Sequence, residues 1–166
     1  IIKALELATQ QNLPIEWIPI SSGAKIAFDS GTENLDWTAS VLKEIILFTQ
    51  RGGIINMIVD GICVGAQAYW NAEATMLSHC RGALIMTPKG CMLLTGKRAL
   101  EHSGSASGRT NHDIGGLHKI MAPNGQAQYT ASNLREAYEL LFTHYEYTYT
   151  PAGLPQVQQS KTRDPL

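Results

Sequence analysis

Two short segments of small residues stand out because their backbone amides could bind an oxygen anion. The first is Ser-Gly-Ala at 22–24, after the apolar stretch 15–20, and the second is residues 61–66, after the apolar run 54–59. Small residues at such turns let a ligand approach the backbone closely. Two N–H groups that converge on one point form an oxyanion hole for an enolate or tetrahedral intermediate. The loss of one donor in such a site costs roughly 10²–10³ in rate.

The elements around these turns alternate short apolar runs with amphipathic stretches, which predicts an α/β fold with a mostly parallel sheet and flanking helices. Helical spacing of apolar residues predicts helices at 1–11, 35–50 and 131–145. Strands are predicted at 15–20, 54–59, 74–78 and 83–86, and a helical turn at 88–94. In a parallel sheet the two small-residue turns then lie at one edge, beyond the carboxyl ends of the strands.

Composition indicates one globular domain. The chain has 166 residues, 44% of them hydrophobic, and a formal net charge of −1. Scattered basic residues argue against a nucleic-acid-binding protein, and the apolar runs are too short for a membrane span. A charged fraction of only 16% suggests that other protein covers part of the surface. Three cysteines without a CxxC pair predict thiols in a reducing compartment.

Other side chains that could do chemistry carry weaker signals. The five histidines lack metal-binding spacing, so no metal site is predicted. His112, followed by an aspartate, could be an oriented imidazole, although an exposed loop pair is the simpler interpretation. Tyr69, Trp70 and Met57 are predicted to pack in the core or in an interface. Glu73, in the first turns of a helix, is predicted to be solvated or to cap the helix.

Four motifs occur in a distinctive order: Ser-Gly-Ala-Lys-Ile at 22–26, Gly-Ile-Cys-Val-Gly-Ala-Gln-Ala-Tyr at 61–69, Leu-Thr-Gly at 94–96, and Ile-Gly-Gly-Leu-His-Lys-Ile-Met-Ala-Pro-Asn-Gly-Gln-Ala-Gln-Tyr at 114–129. This succession resembles the carboxyltransferase component of biotin-dependent acyl-CoA carboxylases. It is most similar to the bacterial long-chain acyl-CoA carboxylases with fused components. The resemblance implies a crotonase-like spiral of ββα units.

The resemblance also implies a domain organisation. Residues 1–150 correspond to the first of the family's two crotonase-like halves, without its first strands, and residues 151–166 read as a linker or tail. The chain begins inside a predicted helix without an initiator Met, so we expect it to be part of a longer chain. The implied partners are a second carboxyltransferase half, biotin carboxyl carrier and biotin carboxylase domains, and further copies in a homo-oligomer. The implied location is the bacterial cytoplasm or another reducing compartment.

By the same resemblance, the oxyanion hole consists of the backbone N–H groups of Ala24 and Gly65, with Ala66 adjacent. Gly23 and Lys25 belong to the substrate-binding turn. The implied reaction moves CO₂ from carboxybiotin to the α-carbon of an acyl-CoA through an enolate. Biotin itself accepts the α-proton, so no side-chain base is needed, and no metal is required in this segment.

Some positions differ from relatives. Many relatives have Arg where this chain has Lys25, and Gly where it has Ala66. Related hydratases carry a catalytic Glu after a Pro in the region matching 87–90, where this chain has Lys89. Eukaryotic carboxylases bind CoA phosphates with an Arg near position 62. Because this chain has Ile62 there, no residue is assigned to the phosphates.

Two alternatives stay open on the sequence. Another crotonase-type enzyme, a decarboxylase or isomerase of CoA thioesters, would share the oxyanion turns but need no biotin. A non-catalytic assembly segment would keep the fold without a usable hole.

Overall fold

The structure, a computed structural model, describes residues 1–24, 27, 29, 31–76, 80–105 and 110–150. Its strands are β1 (Ile15–Trp17), β2 (Ile55–Val59), β3 (Ile62–Val64), β4 (Leu84–Met86), β5 (Cys91–Leu93) and β6 (Tyr129–Thr130). Its helices are α1 (Ile2–Gln11), α2 (Thr32–Gln50), α3 (Ala66–Ala74), α4 (Lys97–His102), α5 (Asn111–Gly115) and α6 (Leu134–Thr148), with a π-helix at Leu117–Met121. Lys25 and the tail 151–166 lie outside the described residues.

The main sheet is parallel throughout and has the strand order β1-β2-β4-β6. Every residue of β2 is buried, because helices cover both faces of this strand. Ile55, Met57 and Val59 join the larger core cluster, while Ile58 joins a smaller cluster with residues of α6. This two-sided burial explains why residues 54–59 read as a continuous apolar run rather than as an alternation.

A second, smaller sheet supports the site. β3 pairs in parallel with β5, and Ser21 forms a parallel bridge to Cys63 on the other side of β3. The chain therefore passes repeatedly from a main-sheet strand to a second-sheet strand and then into a helix. β2, β3 and α3 form one such ββα unit, and β4, β5 and α4 form the next.

The long predicted elements are confirmed. α1, α2, β2 and α6 all occur where apolar periodicity predicted them, with ends shifted by up to three residues. β1 is shorter than the predicted strand 15–20. Pro19 lies beyond its end, and proline has no N–H to continue the ladder.

Three local predictions were wrong. Residues 88–94 contain strand β5 rather than a helical turn, and the supposed turn 61–66 contains strand β3. Ala74 ends helix α3 instead of starting a strand, while residues 77–78 of that prediction lie outside the described part. Elements of three residues are too short to display a period, so tertiary pairing decides them.

Candidate functional site

The two small-residue turns meet in space. The Ser21 N–H donates to Ile62 O at 3.0 Å, and the Val64 N–H donates to Ser21 O at 3.0 Å, which ties the first turn to β3. A Cβ placed on Gly65 would lie 3.7 Å from Gly23 Cα. The predicted juxtaposition of the turns is therefore present, with β3 as the element that produces it.

Glycine is required at both turns for conformational reasons. Gly23 has φ +94° and Gly65 has φ +70°, values that residues with a side chain rarely adopt. At Gly65 this conformation turns the chain from β3 directly into α3, whose first residue is Ala66. A substitution at Gly65 would therefore disturb the start of α3.

The structure corrects the role predicted for the Gly65 amide. Its N–H donates to Leu93 O at 2.8 Å, as part of the pairing between β3 and β5, so it is already engaged. The next amide, Ala66, is in the first turn of α3, where N–H groups have no partner within the helix. Among the hydrogen bonds of the described residues, none has the Ala24 or Ala66 N–H as donor. Ala24 and Ala66 are thus the better pair of candidate donors.

A cleft of about 860 Å³ opens beside these turns. One wall consists of Ile20, Ile62 and Val64, and Ile20 is 77% exposed although it is aliphatic. Ser21 and Ser22 connect this wall to the turn that carries Ala24. The cleft therefore presents an apolar surface beside the two turns, and its lining residues Ser22 and Val64 immediately precede Gly23 and Gly65.

The lining of this cleft also includes charged side chains that the sequence analysis did not assign. Lys97 and Arg98, at the start of α4, line the cleft together with Glu101. Lys97 Nζ lies 2.9 Å from Glu101 Oε1. The available signal was the Leu-Thr-Gly motif at 94–96, which immediately precedes these residues. Their relation to the turns depends on β5, which the sequence did not reveal.

The other residues named in the sequence analysis lie either in the packed interior or on the surface. Met57 is fully buried, and Trp70 stacks against Trp17 with ring centroids 6.2 Å apart, so packing is confirmed for both. Tyr69 is 54% exposed, which excludes a core position, and the alternative position in an interface stays a prediction. Lys89 is exposed between β4 and β5 and does not line the cleft.

Among the described residues, no carboxylate forms a hydrogen bond or ion pair with the exposed His112 side chain. Asp113 instead completes a capping box with Thr110 and pairs with Lys119. These contacts hold the pKa of the Asp113 carboxyl well below its ordinary range, chiefly through the hydrogen bond from Lys119. Within the described residues, no group of three or more His, Cys, Asp or Glu side chains could hold a metal ion.

A second cleft, of about 510 Å³, lies at the other end of the strands. Its lining includes Pro14 and Ile54, which immediately precede β1 and β2, and the cationic residues Arg51 and Arg81. Residues that follow the last turns of α1, α2 and α6 also line it. This cleft therefore faces the ends of helices, whereas the first cleft faces their beginnings.

Solved structures of several carboxylases share the fold of this chain. It matches the β subunit of P. aeruginosa geranyl-CoA carboxylase with a TM-score of 0.71 and 18% identity, over 99% of this chain and 29% of that one. It matches the 12S hexamer of a transcarboxylase, which contains hydrolyzed methylmalonyl-CoA, with a TM-score of 0.72 and 19% identity. The match covers 88% of this chain and 26% of that one. It also matches a single-chain, multi-domain long-chain acyl-CoA carboxylase with a TM-score of 0.68 and 19% identity, over 87% of this chain and 13% of that one. The fold is thus the crotonase-like fold of carboxyltransferases, as the sequence predicted.

The sequence itself identifies the family: residues 1–165 match the Carboxyl transferase domain, and the chain belongs to that family. No curated protein matches the chain. The chain spans less than a third of the length of the solved structures described above. In the part of the chain that the structure describes, no helix has the length and apolar character needed to cross a bilayer.

Proposed function

We propose that this chain provides the thioester-binding half of a carboxyltransferase, which moves a carboxyl group from carboxybiotin to the α-carbon of an acyl-CoA. One observation carries the proposal most directly. In a chain of the carboxyl transferase family, the turn at Gly23 and the turn at Gly65 touch beside an open cleft, at the start of a helix. That arrangement supports a site in which backbone amides of the two turns bind a thioester carbonyl.

The proposed oxyanion hole uses the N–H groups of Ala24 and Ala66. Removal of the α-proton from a thioester places negative charge on its carbonyl oxygen, and two amides aimed at that oxygen stabilise the enolate. The N-terminal end of α3 adds a favourable dipole to the Ala66 amide. Gly65 contributes by its positive φ and by the bond of its own N–H to Leu93 O, which fix the direction of the chain entering α3.

The cleft walls support the same chemistry. Ile20, Ile62 and Val64 present an apolar surface next to the proposed hole, where it would exclude water from the enolate. Hydrogen bonds to a charged oxygen gain strength when water is excluded. In the proposal, Gly23 keeps the turn free of a side chain, and Lys25 stays a predicted contact of the substrate.

The charged residues of the cleft are consistent with a reaction in which carboxybiotin, and not a side chain of this protein, supplies the proton acceptor. Carboxybiotin supplies the carboxyl group and, once the N–CO₂ bond has broken, the ureido nitrogen that accepts the α-proton. Glu101 is the one acidic side chain among the described residues of the cleft, and it is paired with Lys97. This chain's own contribution is therefore to bind the thioester, polarise its carbonyl and shield the enolate.

The proposed partners follow from the same assignment. They are an acyl-CoA, a biotin carboxyl carrier domain, a biotin carboxylase domain, the second carboxyltransferase half and further copies of the protein. The match to a hexameric transcarboxylase supports the oligomer, and the low charge content supports extensive contact with other protein. The free thiols of Cys63, Cys80 and Cys91 support a reducing compartment such as the bacterial cytoplasm.

The test is the release of CO₂ from carboxybiotin by the full-length protein, measured with and without an acyl-CoA. The proposal predicts release that depends on the thioester and yields a carboxylated acyl-CoA. Turnover of the thioester without any biotin would instead identify another crotonase-type enzyme. Thioester binding without either reaction would identify an assembly segment, and both results would refute the proposal.

A further inference from the structure

The wall of the first cleft formed by α4 carries an excess of positive charge. Lys97 and Arg98 both line the cleft, and the acidic residue among its described lining is Glu101. Lys97 pairs with Glu101 at 2.9 Å, and within the described residues Arg98 has no ion-pair partner. One guanidinium therefore faces the cleft without a compensating carboxylate.

Hydrogen bonds attach this cationic wall to the proposed oxyanion hole. The Lys97 N–H donates to Asn111 Oδ1 at 3.2 Å, and Asn111 O accepts a hydrogen bond from the Cys91 thiol of β5 at 3.0 Å. The last residue of β5, Leu93, accepts the Gly65 N–H. The start of α4 is thus anchored to the same strand that fixes the entry to α3.

In the part of the chain that the structure describes, the Arg98 side chain makes no hydrogen bond and no ion pair. Its side chain is exposed and lies in the first turn of a helix, where a cation is opposed rather than favoured by the helix dipole. A planar guanidinium binds carboxylate and phosphate oxygens through two parallel hydrogen bonds. An anionic ligand in the cleft would explain a cation at this position.

We propose that Arg98, with Lys97 in support, forms a subsite for an anionic group of the substrate. This inference rests on the proposed function. Two groups of a carboxyltransferase substrate have the required chemistry: the carboxylate installed next to the thioester carbonyl, and the phosphates of coenzyme A. In both cases the oxygen atoms bind the Arg98 guanidinium while the thioester carbonyl lies at the amides of Ala24 and Ala66.

The experiment measures equilibrium binding to the full-length protein and to its Arg98→Ala, Lys97→Ala and Lys89→Ala variants. Lys89→Ala is the matched control, because Lys89 is an exposed cation outside the cleft. Four ligands are compared: an acyl-CoA, its α-carboxylated form, and the corresponding two N-acetylcysteamine thioesters, which lack the phosphates. Loss of a charged hydrogen bond predicts affinity lower by about tenfold or more for Arg98→Ala, with a smaller effect for Lys97→Ala.

The ligand pattern identifies the anion. If the carboxylate binds Arg98, Arg98→Ala weakens both α-carboxylated ligands and spares both uncarboxylated ones. If the phosphates bind it, the variant weakens both CoA esters and spares both N-acetylcysteamine thioesters. Affinities equal to those of wild type and Lys89→Ala for all four ligands would overturn the subsite alone. A wild-type protein with no affinity for any thioester would refute the proposed function and the subsite with it.

Discussion

The two clefts lie at opposite ends of the same parallel strands and differ in the backbone groups that surround them. α4 and α5 begin at the first cleft, and Val64, which lines it, is followed at once by the glycine that leads into α3, so helix N–H groups are concentrated at this end. α1, α2 and α6 end at the second cleft, so carbonyl groups are exposed there. Because of this polarity, backbone groups can stabilise a negative oxygen at the first cleft and cannot do so at the second.

A cationic side chain is therefore in a different electrostatic environment at each end of the parallel strands. Arg51 caps the end of α2 in the second cleft, where the carbonyl groups favour a positive charge. Arg98 stands at the beginning of a helix, where no such compensation exists. The fold therefore accounts for Arg51 at the second cleft, whereas Arg98 at the first cleft is accounted for by the proposed ligand.

The largest expected effect comes from placing valine at a glycine with a positive φ near each cleft: Gly65, which follows the lining residue Val64, and Gly52, which lines the second cleft. Gly65→Val should lower turnover by at least about a hundredfold, because the start of α3 and its Ala66 amide would be displaced. Affinity for the acyl-CoA should change only a few fold, since the enolate needs the hole more than the bound substrate does. Turnover and thioester binding are measured on the same protein preparation.

Gly52→Val is the matched control for that prediction. Gly52 has φ +89° and lines the second cleft, and a Cβ there would meet nothing within 4 Å. It should lower the free energy of unfolding by about 1–2 kcal/mol through backbone strain, while the folded protein keeps its turnover. Equal loss of turnover in both variants would contradict the proposal that only the first cleft takes part in the reaction.

A smaller effect is expected from the double substitution of Arg51→Ala and Arg81→Ala. Loss of the charge at the end of α2 should lower the free energy of unfolding by about 0.3–1 kcal/mol. The ratio kcat/KM for the acyl-CoA should stay at the wild-type value, because neither residue lines the first cleft. Denaturant unfolding and steady-state kinetics check the two parts. A marked rise in KM would mean that the second cleft also binds substrate.

The sequence predicted the long elements and the meeting of the two turns, because these depend on patterns that extend over many residues. β2 displayed its burial as four apolar residues out of five, and α2 repeated its apolar face over several turns. The second sheet was not predicted, because its strands are too short to show a pattern. Ser21, Cys63 and Met92 align across it, but they are unequally spaced along the chain, and β3 and β5 have three residues each.

The unseen second sheet accounts for both errors at the candidate site. Without β5, the sequence offered no acceptor for the Gly65 N–H, so this amide was predicted to face a ligand rather than Leu93 O. Without β5, nothing placed Lys97 and Arg98 in one cleft with Ser22. Strand pairing decides where a backbone N–H points and which distant segments of the chain lie close together. For three-residue strands, that pairing is set by tertiary contacts that the local sequence pattern does not show.

The smallest expected effect concerns α6, which packs on the main sheet and ends at the second cleft. Burial lowers the pKa of His144 below its ordinary 6.5, and its Nδ1 lies 3.3 Å from the Tyr129 hydroxyl. Above pH 6.5 the imidazole is neutral in both the folded and the unfolded chain, so stability is unaffected. As the pH falls below 6.5, the unfolded chain takes up the proton more readily, and stability declines until the folded pKa is passed.

Urea unfolding between pH 8 and pH 5 should therefore show a loss of stability in wild type that is reduced in His144→Gln, because glutamine does not titrate. The difference between the two proteins isolates His144 from other groups. Since α6 lines the second cleft and not the first, turnover per folded molecule should have the same pH profile in both proteins. A profile that differs between them would show that α6 supports the first cleft, and the functional separation of the two ends of the sheet would fail.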